Sequence, residues 1–172
     1  MCIRDREYDN LKLFLVGPKT SRFPSSKQLK TSQYFLKLEK WIQKNDLTGS
    51  IIFSGPVAYR KIPYYYVGCD LFIQPSPFET FGRAIFEAAA AGLPFICTQI
   101  GNKIPQYLPK SSGIFLKQLS GSELERAIKR ILDNENDFKK WGLQAANQIG
   151  RYYSWRKIAK KYLKIYEEII KN

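Results

Sequence analysis

Pro75-Ser76-Pro77-Phe78-Glu79-Thr80-Phe81-Gly82-Arg83-Ala84-Ile85-Phe86-Glu87-Ala88-Ala89-Ala90-Ala91-Gly92-Leu93-Pro94 is the stretch whose reading decides the fold. Residues 71–74 before it are a short strand, buried by their sequence, and the two prolines stop it. Glu79 sits in the loop that follows. A helix runs from about Gly82 to Ala91, and Gly92 followed by Pro94 ends it in the order helices favour. Ligands of open α/β sheets bind at the carboxyl ends of strands, which is where this loop lies. The helix start offers unpaired N–H groups and the positive end of the helix dipole, a setting that suits a phosphate. Gly82 lets a ligand approach the backbone closely.

Glu87 lies about four residues into that helix, a rise of roughly 6 Å, and helical side chains lean back toward the N-terminus. Its carboxylate can reach a group just beyond a bound phosphate and accept two hydrogen bonds from a vicinal diol such as that of a ribose. Glu79, on the loop side, lies across a diphosphate and meets whatever sugar it carries. Two carboxylates touching a diphosphate would repel it, and spacing them to ribose and hexose avoids this. The four alanines at 88–91 permit close packing of helix on sheet. Two glutamates on a generic strand–loop–helix unit would by themselves carry no function; the surrounding residues make the difference.

Outward from this stretch, short β-branched or aromatic runs alternate with helical stretches, the pattern of a parallel sheet flanked by helices. Strands are predicted at 11–16, 50–54, 71–74, 95–98 and 113–116. Residues 19–28 are polar, with Pro24 and serines, and are predicted as a loop. A helix is predicted over 31–44, where Phe35, Leu38 and Ile42 recur at helical spacing. A short aromatic helix or turn is expected at 62–67. Three more helices are expected: one opening at Gly121 or Ser122 and reaching Asp133, one over 137–149, and one from Ser154 toward Ile170.

The 172 residues suffice for one domain with a core, and 44% hydrophobic residues with 15% aromatic argue against global disorder. Residues 1–10 carry no apolar signal region and read as a truncated or artefactual start; 11–172 read as one domain. No apolar run approaches the ~20 residues a membrane span needs. With no histidine, the chain holds no Ser-His or Cys-His triad and no histidine-ligated metal. Cys2, Cys69 and Cys97 lack zinc-ligand spacing and read as reduced thiols. The net charge of +13 fits a solvated surface, an anionic membrane surface or a polyphosphate ligand. No nucleic-acid motif is present, and nucleic acid is not expected as a partner.

Glu79 and Glu87, with seven residues between them, inside Pro-Ser-x-x-Glu-x-Phe-Gly and Glu-Ala-x-Ala-x-Gly-x-Pro, resemble the motif of family 4 (group 1) glycosyltransferases. Cys69-Asp70-Leu71-Phe72-Ile73 resembles the segment the family places before it, and Tyr153-Ser154-Trp155 resembles the approach to its last helix. The resemblance runs from about Leu11 to Ile170. It implies the Rossmann-like C-terminal half of a two-domain GT-B enzyme, with a terminal helix crossing back to the N-terminal domain. It implies retaining transfer of a hexose from a nucleoside-diphosphate sugar to an acceptor hydroxyl, with no cofactor beyond that donor and no divalent metal. Carried over by position, Glu79 is the catalytic-site residue that contacts hexose hydroxyls, as a positioning group rather than a nucleophile. Thr80 lies within the same loop, and the backbone of Phe81, Gly82, Arg83 and Ala84 holds sugar and diphosphate. Glu87 binds the ribose and Val57 sits against the base.

The family's diphosphate-clamping Arg and Lys, and the N-terminal domain that meets an acceptor glycan or lipid, have no counterpart here. The chain is therefore expected to be inactive alone. Lys19 and Arg22 read as solvated loop charges rather than substitutes for the clamp. Gly101-Asn102 and Gln106 stand where paired glycines and a glutamate are common. Arg83, where many members are aliphatic, either adds charge near the phosphate or points to solvent. The last helix pairs Ile158, Tyr162, Ile165 and Ile169 with Lys157, Lys160, Lys161 and Lys164, an amphipathic pattern for domain packing or for peripheral contact with an anionic membrane. A cytoplasmic protein of surface glycan or glycolipid synthesis is the use implied. The competing readings are a non-catalytic donor-binding fragment and a basic module for nucleic acid or anionic surfaces.

Overall fold

The computed structural model describes residues 11–18, 26–79, 81–99, 108 and 110–171, with backbone alone at 26–33 and 110. Thr80, Lys19, Arg22, Gly101, Asn102 and Gln106 lie outside the described residues. The chain forms two compact units, one up to Ile62 and one from Pro63 onward.

In the first unit, β1 (Leu13–Val16) and β2 (Ile51–Gly55) pair in parallel, with α1 (Ser26–Lys44) between them in sequence. Leu13 pairs with Ile51 and Leu15 with Phe53, and the register slips between Leu15 and Val16. Phe35 of α1 meets Phe53 edge-on, ring centres 5.0 Å apart, and Ile42 and Leu47 are buried. The helix starts at Ser26, not at 31, so the predicted loop at 19–28 is too long at its end. Lys27, Gln28, Leu29 and Lys30 are good helix formers, and polarity does not exclude a helix where no apolar stripe is required. A 3-10 turn at Tyr59–Lys61 leads into α2 (Ile62–Val67).

The second unit contains β3 (Phe72–Gln74), α3 (Arg83–Ala90), β4 (Phe95–Thr98), β5 (Gly113–Leu116), α4 (Gly121–Leu132), α5 (Glu135–Tyr152) and α6 (Trp155–Ile170). Its strands lie in the order β3-β4-β5, all parallel. Strand alternation splits the apolar residues of β4 between two layers. Phe95 and Cys97 pack with Ile85, Phe86 and Ala89 of α3 and Ala145 of α5. Ile96 packs on the other face with Ala127 and Ile131 of α4 and Phe138. All four residues of β4 are buried because ladder and helices cover both faces. Residues 71–74, read as a buried strand, are only half-buried, since β3 ends this ladder and has β4 on one side alone.

The helix ends follow local chemistry. Glu123 N–H donates to Ser120 Oγ (3.2 Å), so Ser120, one residue before the expected opener, caps α4. The Glu123 carboxylate in turn accepts from the N–H groups of Lys117 and Gln118, at 3.0 and 2.8 Å. Helix α5 starts two residues earlier and ends three later than the expected 137–149. Gly142 in α5 passes so close to the turn after α3 that a Cβ there would fall 1.9 Å from the Gly92 carbonyl oxygen. Of the four alanines, Ala88 and Ala89 are buried against the sheet, whereas Ala90 and Ala91 face outward. Helix α6 has no buried residue.

Candidate functional site

The loop between β3 and α3 is held at its start, in its middle and at its end. Thr98 Oγ1, buried at the end of β4, donates to the Ser76 carbonyl. Gln74 Nε2, from the last position of β3, donates to Glu79 Oε2 at 2.6 Å. Gly82 N–H donates to Glu79 Oε1 at 3.2 Å. Both oxygens of Glu79 are thereby engaged, one from a strand end and one from a helix start. Gly82 makes the second bond with a left-handed backbone, φ 75° and ψ 42°, which a residue with a Cβ adopts only under strain. Its carbonyl accepts from Ile85 and Phe86 N–H groups, so the same residue also opens the helix.

Glu87, one turn into α3, is held independently. Tyr66 Oη donates to Glu87 Oε2 at 3.2 Å, and Arg83 Nε lies 3.4 Å from Oε1. Tyr66 is fixed in turn by an edge-on contact with Phe72, 5.6 Å between centres. The Arg83 side chain is largely exposed and contributes little as a surface ion pair. Arg83, read either as charge near the phosphate or as a solvent-facing residue, lies beside Glu87 in this structure. Phe81 is exposed and stacks on Phe86 at 4.7 Å, with planes 6° apart, and Phe86 meets Tyr153 edge-on at 5.9 Å. Ala84 is half-buried. The first helical N–H groups have no intrahelical acceptor by the geometry of any helix start.

Val57 belongs to the first unit. There, at the carboxyl ends of β1 and β2, Val16, Gly17, Pro18, Pro56, Val57 and Ile62 line a cleft of about 350 Å³. The side chains that sequence reasoning missed are Gln74 and Tyr66, the donors to the two glutamates. Their signals were an amide closing an otherwise apolar strand and a run of three tyrosines. Among the described residues, no group of three or more His, Cys, Asp or Glu side chains could hold a metal ion. None of the described helices is long and apolar enough to cross a membrane.

Relatives match over most of this chain and a minor part of their own. The chain is 26% identical over 138 residues to the GPI3 subunit of phosphatidylinositol N-acetylglucosaminyltransferase of Saccharomyces cerevisiae, covering 78% of this chain and 30% of that protein. Glycogen synthase of Elusimicrobium minutum is 26% identical over 138 residues, 75% of this chain and 28% of its own. The chain thus spans about 30% of the length of the curated relatives it matches. In fold it is similar to sucrose-phosphate synthase from Thermosynechococcus elongatus (TM-score 0.76, 24% identity, 92% of this chain and 38% of that one). It is equally similar to Anabaena HepE in complex with UDP (TM-score 0.76, 21% identity, 92% and 41%). The model of the family described as glycosyl transferases group 1 matches residues 2–148. With parallel strands flanked by helices and that match over most of its length, the chain belongs to the group 1 glycosyl transferases.

Proposed function

We propose that this chain is the donor-binding domain of a retaining, metal-independent glycosyltransferase that moves a hexose from a nucleoside-diphosphate sugar to an acceptor hydroxyl. One observation carries the reading. A helix that opens on a left-handed Gly82 is flanked by two oriented carboxylates, Glu79 before it and Glu87 one turn inside it. Family membership supports it, as does the HepE structure in complex with UDP-glucose. On this reading the start of α3, with the backbone of Phe81, Gly82, Arg83 and Ala84, receives the diphosphate. Its fixed dipoles stabilise the charge that develops as the bond to the anomeric carbon breaks and the acceptor attacks. Glu79 orients the hexose through its hydroxyls, with Thr80 in the same loop. Glu87 takes the ribose diol.

The acceptor, a surface glycan or a glycolipid, is then met through a further, N-terminal domain. Helix α6 exposes Trp155, Tyr162, Ile165 and Ile169 beside a set of lysines, which favours peripheral contact with an anionic membrane. Free thiols at Cys69 and Cys97 fit a reducing, cytoplasmic setting. The test is calorimetric titration with UDP-, GDP- and ADP-sugars, with Glu87→Ala as control. One nucleotide should bind, and the substitution should weaken it by roughly 1.5–3 kcal/mol, the range for hydrogen bonds to a charged group. Failure of all three to bind the folded chain would sink the reading.

A further inference from the structure

We infer that Gln74 is a positioning residue for Glu79, fixing the carboxylate that meets the donor sugar; the inference rests on the donor-site reading above. Gln74 closes β3 at the register position opposite Cys97, a fully buried residue of the central strand. Phe72, two residues earlier and on the same face by strand alternation, packs into the α3 side of the core. An apolar residue would suit this position. The amide that stands there instead leaves its Oε1 buried without a hydrogen-bond partner among the described residues, a cost to folding that ordinary cores avoid. What it provides is the 2.6 Å donation from Nε2 to Glu79 Oε2. A side chain that weakens the fold and orients an acidic group in a binding loop is the kind of local conflict that functional sites retain.

The geometry says what this orientation achieves. An ionised carboxylate has about four acceptor positions. Gln74 uses one on Oε2 and Gly82 N–H uses one on Oε1. The described residues leave one direction on each oxygen, a paired acceptor that matches two neighbouring hydroxyls of a hexose. Without Gln74 the Gly82 bond is the one left among the described residues, and the carboxylate can turn about it. Gln74 therefore acts on the sugar and not on the nucleoside diphosphate.

The experiment compares Gln74→Met, which keeps the volume and removes both polar atoms, with the unaltered chain. Calorimetric affinities are measured for UDP, GDP and ADP, alone and as their glucose or mannose conjugates. The expected result is an unchanged affinity for the bare diphosphate and a loss of about tenfold for the sugar conjugate, the size of one hydrogen bond to a charged group. The thermal midpoint should stay level or rise, because the unsatisfied acceptor has gone. Glu79→Ala should lose the same increment, and the double variant should be no weaker than Glu79→Ala alone. Equal losses for diphosphate and conjugate, an unchanged conjugate affinity, or additive losses in the double variant would each overturn the role of Gln74 while leaving the donor site standing. If the folded, unaltered chain binds no nucleotide, or binds a conjugate no better than its diphosphate, the sugar site itself is wrong and the inference falls with it.

Discussion

Gly82→Ala tests whether the helix start is a device or an accident of the loop. The residue has φ 75° and ψ 42°, a conformation that costs a residue bearing a Cβ roughly 1–2 kcal/mol. For a chain of this size that lowers the thermal midpoint by roughly 2–8 °C. Alanine can also relieve the strain by rotating its backbone, and the N–H then leaves Glu79 Oε1, 3.2 Å away. Either way the carboxylate loses its second anchor. Gly92→Ala supplies the control. Gly92 is also left-handed, at φ 82°, and among the described residues an added Cβ would meet Leu143 Cδ2 alone, at an ordinary 3.8 Å. It carries the backbone strain without the site. Urea unfolding should therefore show comparable losses for the two variants, whereas calorimetry should show weakened nucleotide-sugar binding for Gly82→Ala alone. Should Gly82→Ala leave stability within a few tenths of a kcal/mol, or should Gly92→Ala lose as much donor affinity, the link from backbone conformation to carboxylate is refuted.

Three further outcomes follow from the same geometry. Tyr66→Phe keeps the edge-on contact with Phe72 and deletes the donor to Glu87; affinity for diphosphate and sugar conjugate should fall together, by about 1 kcal/mol, read by the same titrations. Gly142→Ala would place a carbon 1.9 Å from the Gly92 carbonyl oxygen and 3.1 Å from Pro94 N, so α5 must withdraw from the core that its Ala145 helps fill. The urea midpoint should report a loss at or above the upper end of the roughly 1–3 kcal/mol typical of overpacking. Burial pushes the Cys97 thiol up from 9.0 to about 12, and burial followed by the Asp70 charge raises Cys69 too. Iodoacetamide should label Cys97 only after unfolding and Cys69 slowly. Because the folded form holds the Cys97 proton more tightly, the stability this confers is full below pH 9.0 and is lost as pH climbs toward about 12, which thermal melts across that window can check.

The parts of this fold that were legible were those whose cause is local. Strands β4 and β5 fall on the predicted residues, because each is a short apolar run between turn residues. The last helix starts where Ser154 said it would. The start of α1 was missed because its first turn carries no apolar stripe to reveal it. The depth of β3 was misjudged for another reason: composition describes a strand, but its place in the ladder decides what covers it. The two glutamates were legible because one strand–loop–helix unit contains both. Their partners were not. Tyr66 stands 21 residues from Glu87, and only the placement of α2 beside α3 brings the phenol to the carboxylate. Gln74 is five residues from Glu79, yet it was hidden inside a strand read as apolar.

The nature of those partners bears on the proposed chemistry. Glu79 is held by an amide side chain and a backbone N–H, both neutral. Neutral donors fix the direction of a carboxylate without cancelling its charge, so it remains a strong acceptor for hydroxyls. A lysine or arginine in the place of Gln74 would orient the group as well, but its positive charge would also attract diphosphate oxygens into the space meant for the hexose. In a chain carrying +13 overall, both described donors to Glu79 are neutral, a local departure. At Glu87 the neutral phenol of Tyr66 holds one oxygen, and Arg83, near the other, stands largely in solvent at the mouth of the helix. On the donor-site reading, that arrangement separates the labour of the site. The helix start draws the diphosphate, and each glutamate, aimed but not neutralised, keeps the phosphate out and sorts the hydroxyls on its own side.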